Sequence, residues 1–441
     1  MTAADLLAAR LAGLGVRRIY GEGLTGATLT GLDPVEVADP DLAVLLADAD
    51  GRIGEVDGRG RLGAALLAGP ILHLSSEPGG TAPLQIVGSA EEMLDALVDP
   101  PGLVVPGTSA LHLDLDLSAP VPDGLAASVQ PDRRPVMTLD RSMAALRMVV
   151  VVGPGVVRAG ALDGLRSLSR AAGAGVLNTW GAKGVERWDS PWHFGTAGLQ
   201  ARDLELAGLG GPGIPADCDV VIASGIDTAE LPGGHLPHAV VQEVAPAQLG
   251  ALCQHWPGRA GPPAARPALY DAIAAVVGPL YESDSVPLTP ARAALHLSGA
   301  LPGQGMAVSD AGIAGLWIAR AFPTSIPNSV CVPATVAPGF AVAAAMACAL
   351  EGRAVLAVTD AEGVEAPETE ALMELAGGLG LAVGLQVWDD GGGPGWADAS
   401  GHVELLEAHL AGGGCRVDHV PVDFGCTAAL EAAAGPVTAW A

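Results

Sequence analysis

The run Val-Val-Val-Val-Gly-Pro-Gly at residues 149–155 restricts the possible folds more than any other stretch. Four consecutive valines leave no room for a wet face alternating with a dry one. The strand they form is therefore buried on both sides, as in a parallel sheet covered by helices. The Gly-Pro-Gly ends that strand, and "GALDGLRSLSRAAGA" after it has leucines at helical spacing. Further apolar runs follow at "GVLNTW", "DVVIASG" and "AVVQEV". Strand and helix in alternation predict a doubly wound parallel sheet, with a domain over 140–258.

The same alternation brackets this block. Upstream, "TAADLLAARLAGLGVRRIYG" reads as a capped helix leading into a strand, and "GLVVPG" and "LHLDLDL" close a first domain over 1–125. Downstream, "MAVSD", "AVLAVTD", "AVGLQVW" and "RVDHVPV" read as the strands of a third domain over 285–441. Proline-rich, aperiodic segments at 119–140 and 256–267 read as linkers. The expected fold class is α/β, with three doubly wound parallel-sheet domains.

Charge excludes one broad class. A net charge of −27 disfavours nucleic acid, whose phosphates require clustered Lys and Arg. Every long apolar run is broken by Gly, Pro or Asp, so neither a signal peptide nor a membrane span is expected. The six cysteines are widely separated with no CxxC pair, which points to reduced thiols and a cytoplasmic location.

Lys183 is the single lysine of the chain, set in Trp-Gly-Ala-Lys-Gly beside 21 arginines. One reading is compositional, since a chain rich in Ala, Gly and Arg suggests a GC-rich genome with few lysine codons. Another makes it a solvated lysine in a tight turn over Trp180–Gly184. A third keeps it for a ligand.

Several segments together carry a resemblance. "ADLLAARLAGLGVRRIYG", "LHLDLDLSAPV", "VVVVGPGVVRAGA", "NTWGAKGV", "HFGTAGLQARD", "DVVIASGID", "VSDAGIAGLWIARAF" and "PATVAPGFAVAAAMACAL" resemble successive pieces of thiamine-diphosphate-dependent enzymes of the acetolactate synthase and 2-hydroxyacyl-CoA lyase type. The likeness is most specific in the middle block and weak between residues 22 and 70. It implies a pyrimidine-binding-like domain (shortened here), a middle Rossmann-like domain and a diphosphate-binding-like domain. It also implies a homodimer or homotetramer.

In that family a glutamate drives ylid formation on the cofactor, a Gly-Asp-Gly turn supplies an aspartate to Mg²⁺, and an Asn-Asn pair supplies a second oxygen ligand. This sequence departs from all three. Near the glutamate position stand Glu36, Asp39 and Asp41, none in the family's context. "VTDAEG" puts Thr359 and Ala361 where the glycines belong around Asp360, and Asp389 and Asp390 replace the Asn pair. Asp360, Asp389 and Asp390 are thus the candidate metal ligands, since Mg²⁺ takes carboxylate oxygen. The extra negative charge beside a diphosphate opposes binding by about 4 kcal/mol per charge pair at an effective dielectric near 20. Thiamine diphosphate and Mg²⁺ are accordingly doubtful cofactors.

In several family members the middle domain binds an adenine nucleotide, as ADP, FAD or the CoA moiety. Gly153 and Gly155 stand at a strand-to-helix turn where backbone N–H groups can meet phosphate. Arg158, Trp180, Lys183, Arg202 and Asp227 complete that candidate site by the same resemblance. His235 and His238, at i,i+3 spacing, read as surface residues with no third ligand. Three functions follow in order of preference. The first is a non-catalytic or regulatory partner subunit, acting beside an active paralogue. The second is a divergent active C–C lyase or carboligase for a 2-oxo acid or 2-hydroxyacyl-CoA. The third is a nucleotide or acyl-CoA binding module.

Overall fold

The computed structural model describes residues 1–24, 29–56, 58–80, 82–122, 125, 146–211, 213–254, 256, 264–390 and 395–440. Most of the anticipated linker 119–140, and residues 257–263 of the other, lie outside them. The chain divides into two compact units, Met1–Val136 and Met137–Ala441.

The first unit runs α1 (Ala3–Gly13), β1 (Arg18–Gly21), β2 (Asp33–Glu36), α2 (Pro40–Ile53), a short pair β3 (Glu55–Val56) and β4 (Arg59–Gly60), β5 (Gly63–Leu67), β6 (Ile71–Ser75), β7 (Leu84–Val87), α3 (Ala90–Ala96) and β8 (Thr108–Leu113). Thr2 caps α1 reciprocally: its hydroxyl accepts from Asp5 N at 3.1 Å, and the Asp5 carboxylate accepts from Thr2 N at 2.8 Å. The six strands form one sheet in the order β2-β1-β5-β6-β8-β7.

That sheet is parallel in most of its pairings, with two antiparallel pairings at its centre. β5 pairs antiparallel with β6, and β6 with β8, while the other three pairings are parallel. The cause is local. Only Ala68, Gly69 and Pro70 separate β5 from β6, and a parallel crossover needs about a dozen residues or more. Gly69, at φ +83°, supplies the left-handed residue of the turn.

The second unit holds two five-stranded sheets, each wholly parallel. The first comprises β9 (Met148–Val152), α4 (Gly155–Arg158), α5 (Leu162–Ala172), β10 (Gly175–Thr179), β11 (His193–Ala197), α6 (Asp203–Leu206), β12 (Val220–Ser224), β13 (Val241–Glu243) and α7 (Leu249–Gln254), with strand order β11-β10-β9-β12-β13. The four valines behave as their sequence requires. Val150 and Val152 pack on one face with Val156, Leu165 and Leu168, and Val149 and Val151 pack on the other with Leu177, Phe194 and Leu204.

The second sheet of this unit follows α8 (Ala268–Tyr281) and α9 (Pro290–Ala300). It comprises β14 (Met306–Ser309), α10 (Ile313–Ala321), β15 (Val330–Cys331), α11 (Phe340–Leu350), β16 (Val355–Asp360), α12 (Ala361–Val364), α13 (Pro367–Gly378), β17 (Gly384–Asp389), α14 (Ser400–Ala411), β18 (Arg416–Pro421) and α15 (Thr427–Ala434), in the order β15-β14-β16-β17-β18. α11 is apolar all round and buried from Phe340 to Cys348, as befits a core helix. Its alanines let it lie close on β14 and β16.

A buried arginine joins the two sheets. Arg320 donates to Gln200 Oε1 at 3.1 Å, to Thr196 O at 2.7 Å and to Asp203 Oδ1. Gln200 Nε2 in turn donates to Leu430 O and Gly435 O. Asp203 and Arg320 are both nearly inaccessible, so each is the other's counter-charge. Removing one partner of such a pair costs about 3–5 kcal/mol. Among the described residues no helix is long and apolar enough to cross a membrane, and Cys218, Cys253, Cys415 and Cys426 are free thiols.

Candidate functional site

The carboxyl ends of β14, β16 and β17 gather the acids of the second sheet. β16 and β17 pair with Asp360 opposite Trp388, so Asp360 and Asp389 emerge side by side at the edge where open α/β sheets bind ligands. Both are already engaged. Asp360 caps α12, its Oδ1 accepting from Gly363 N at 3.0 Å. Its Oδ2 accepts from Ile313 N at 3.2 Å, at the start of α10. Asp389 Oδ2 lies 2.6 Å from His419 Nδ1. Asp390 is exposed at the end of the strand, and residues 391–394 lie outside the described residues.

Asp310, at the end of β14, was not anticipated as a site residue. Its Oδ1 accepts from Ala341 N at 2.8 Å, and its Oδ2 accepts from Thr359 Oγ1 at 2.6 Å. Burial, and more weakly the neighbouring Asp360, push its carboxyl up to about 6, against the hydrogen bonds that favour the charged form. The signal in the sequence was an acid standing between an apolar strand and a glycine that opens a helix. Thr359, which stands where the family has a glycine, is fully buried and serves as this aspartate's donor.

Among the described residues, no group of three or more His, Cys, Asp or Glu is placed to hold a metal. The expectation that Asp360, Asp389 and Asp390 converge on Mg²⁺ thus finds no such cluster, because two of the three carboxylates are engaged by the protein's own donors.

The nucleotide residues of the middle sheet fall into two places. Gly153, Gly155 and Asp227 come together where β9 meets the turn after β12. Gly153 N donates to Ser224 O at 3.1 Å and Gly155 N to Gly225 O at 2.9 Å. A Cβ on Gly155 would lie 2.7 Å from Gly225 Cα. These glycines thus let two backbones touch, and the N–H groups expected to meet a phosphate already have backbone partners. Asp227 Oδ1 accepts from Ala229 N at 3.0 Å. Arg158 is buried at the end of α4, and Arg202 is half-exposed and pairs with Glu205 at 3.0 Å.

Trp180 and Lys183 belong to the second place. Trp180 is buried and meets Trp440 edge-on at 5.8 Å between centroids. Lys183 is not a solvated turn residue: its Nζ donates to Ala319 O, near the carboxyl end of α10, at 2.8 Å. Burial, reinforced by Arg320, brings its ammonium down to about 7. A small pocket beside it is lined by residues including Asn178, Glu186, His193 and Thr196. Burial, with Lys183 and Arg266 adding repulsion, drops the His193 imidazolium to about 3, so this histidine is neutral.

In the first unit Glu36 Oε2 accepts from Gly23 N at 2.8 Å, Asp39 caps α2 through Asp41 N and Leu42 N, and Asp41 is an exposed first-turn residue. The sequence reading missed the buried charges of this unit. Arg61 pairs with Asp50, Arg52 with Glu77 at 3.0 Å, and His73 with Asp48 at 2.7 Å. Asp48, Asp50 and Arg52 form the run "DADGR" on α2, which reads as solvated when taken alone.

Residues 140–250 match the family model of the thiamine pyrophosphate enzyme central domain. The chain carries a thiamine pyrophosphate enzyme central domain. The fold of the remainder agrees. An X-ray structure from Mycobacterium smegmatis, assigned as a thiamin diphosphate-dependent enzyme, superposes with a TM-score of 0.58 at 17% identity, over 96% of this chain and 99% of that one. At that identity the likeness establishes fold alone. No curated protein matches the sequence.

The thiamine pyrophosphate enzyme fold implies a diphosphate and a metal, and the residues present do not fit them as they stand. A helix N-terminus is the natural seat of a phosphate, but at α10 the seat is filled by the Asp360 carboxylate. A Cβ on Gly312 would lie 2.7 Å from Asp360 Oδ2, so the internal anion lies hard against the backbone of this helix start.

Proposed function

We propose that this chain is an acetolactate-synthase-like, non-catalytic member of the thiamine-diphosphate enzyme group, with domains over 1–125, 140–258 and 285–441, serving as a partner subunit in a homodimer, a homotetramer or a complex with an active paralogue. One observation carries the reading: the carboxylate of Asp360 accepts from Ile313 N and from Gly363 N, occupying the donors that an external phosphate would need. In addition, none of Glu36, Asp39 and Asp41 is buried, whereas a relay acid needs a buried, positioned setting.

A second reading, an active C–C lyase or carboligase, is favoured by the adjacency of Asp360 and Asp389 at one strand edge. In that reading Asp360 and Asp389 would hold a divalent ion in place of their present partners, Ile313 N and His419. A third, nucleotide binding in the middle domain, lacks free N–H groups at Gly153 and Gly155.

Titration calorimetry of the full chain separates these readings. The first predicts no heat with thiamine diphosphate plus Mg²⁺. Binding at micromolar Kd overturns it in favour of the second. Binding of ADP, FAD or CoA without thiamine diphosphate overturns it in favour of the third.

A further inference from the structure

The single lysine sits beside a cavity that its neighbours leave chemically incomplete. Strands β10 and β11 present Asn178, His193 and Thr196 to a space of about 20 Å³, room for roughly one water. Lys183 and Glu186 border it from the following loop. Trp188, 47% exposed, stands on the same pocket, which opens toward solvent on that side. Two buried polar atoms of the lining have no partner, Asn178 Oδ1 and His193 Nδ1. Buried polar atoms are nearly always satisfied, so this pair marks a place for a small polar guest.

The charges around the amine are assigned. Glu186 forms a two-point ion pair with Arg170. Arg320 is held by Asp203 yet still repels an ammonium at Lys183. His193 is neutral, and Arg266 acts on it. Desolvation and a neighbouring cation are the two conditions that turn a lysine into a nucleophile. The amine keeps one N–H on Ala319 O while its lone pair stays available.

From this geometry we propose that Lys183 is a covalent site for small neutral aldehydes, which it captures as an imine. The Nζ lone pair attacks the carbonyl carbon, and the carbonyl oxygen gains a proton to give a carbinolamine. The hydroxyl then leaves as water with the proton lost from nitrogen, and a C=N bond remains. The amine and aldehyde are thus converted to imine and water with no oxidant or reductant. Asn178 Oδ1 and His193 Nδ1 are the groups available to hydrogen-bond the carbinolamine hydroxyl. The cavity holds little beyond the reacting carbon and oxygen, so the smallest aldehydes are favoured. The unpaired Asn178 oxygen and the Glu186 carboxylate select a neutral molecule over an acid. The proposal is independent of whether thiamine diphosphate binds.

The sequence makes the test simple, because the chain has only two amines, Lys183 and the exposed amino terminus of Met1. Full-length protein is incubated with glycolaldehyde and cyanoborohydride at pH 7, and the reduced adduct is located by intact mass and peptide mapping. An ordinary lysine is neutral in roughly one molecule in 2,500 at pH 7. Lys183 should therefore label at least about tenfold faster in the folded chain than in guanidinium, with Met1 as the internal reference. Lys183→Arg should remove that adduct and leave the one at Met1. Equal or slower labelling of Lys183 in the folded chain, or labelling confined to Met1, overturns the proposal. The folded-to-unfolded ratio on the wild type decides the matter even if the variant does not fold.

Discussion

Because the chain holds one lysine, its ionisation can be read from a single resonance. With ¹³C-lysine incorporated, the Cε shift of Lys183 reports its own titration with no assignment needed. The structure predicts a midpoint near 7 in place of the ordinary 10.5, with burial the larger cause and Arg320 the second. At about 1.36 kcal/mol per unit, that depression corresponds to at most ~5 kcal/mol, less whatever solvent entering the pocket screens. The sign is fixed by linkage. The folded state binds fewer protons than the unfolded between about 7 and 10.5, so this group's contribution to stability rises with pH across that window. Below 7 the charged amine carries its full desolvation cost, and Lys183→Met should be relatively most stabilising there. The Arg320→Met variant should move the midpoint upward by removing the repelling charge. A wild-type midpoint above 9 would refute the argument, since it would mean that solvent reaches the ammonium freely.

Gly155→Ala should destabilise the second unit by about 1–3 kcal/mol, the cost of overpacking where a Cβ lies 2.7 Å from Gly225 Cα. A thermal midpoint unchanged by that substitution would contradict the close approach. Asp203→Ala should cost about 3–5 kcal/mol by stranding Arg320, and Asp203→Leu combined with Arg320→Met should recover much of it in a denaturation series. Asp360→Ala should lower the thermal midpoint through loss of the α12 cap, worth about 1–2 kcal/mol. Acid should destabilise the protein as pH falls from 6.5 toward 3. His193 and His402 are buried neutral, with imidazolium forms dropped to about 3, mainly by burial. His402→Phe should flatten that acid limb in thermal melts recorded between pH 7 and 4.

What could be read from the sequence was whatever depends on neighbours close along the chain. Four valines in a row announce a strand covered on both faces, and Thr2 with Asp5 announces a capped helix. The antiparallel pairings of the first sheet carry no such signal, because their direction is set by three residues, Ala68 to Pro70, too short to stand out between apolar runs. The site was harder for a different reason. Asp360 was located, but its partner Ile313 lies 47 residues earlier, and nothing local marks that pairing. Arg320 in "WIARAF" reads as an exposed helix residue, and only its contact with Asp203, 117 residues away, explains why an arginine is buried there. Lys183 stood out by rarity, while its burial depends on α10 of the other sheet, which no spacing in the turn discloses.

The carboxylates at the edge of the second sheet bear directly on the choice between the two thiamine-diphosphate readings. Asp310 is met by Ala341 N and Thr359, Asp360 by Ile313 N and Gly363 N, and Asp389 by His419. An incoming diphosphate must take donors from Asp360 and then sit beside the displaced carboxylate. Two like charges at about 4 Å cost ~4 kcal/mol at an effective dielectric near 20. A divalent cation reverses that sign, because it can bind both the carboxylates and the phosphates. Diphosphate alone therefore has no route to this edge in either reading, and the active reading requires the metal to arrive with it or before it. Magnesium titrated alone is thus the sharper probe. Heat that disappears in Asp360→Ala supports a divergent active centre, and its absence in the wild type leaves the internal carboxylate as the permanent occupant of the α10 N-terminus.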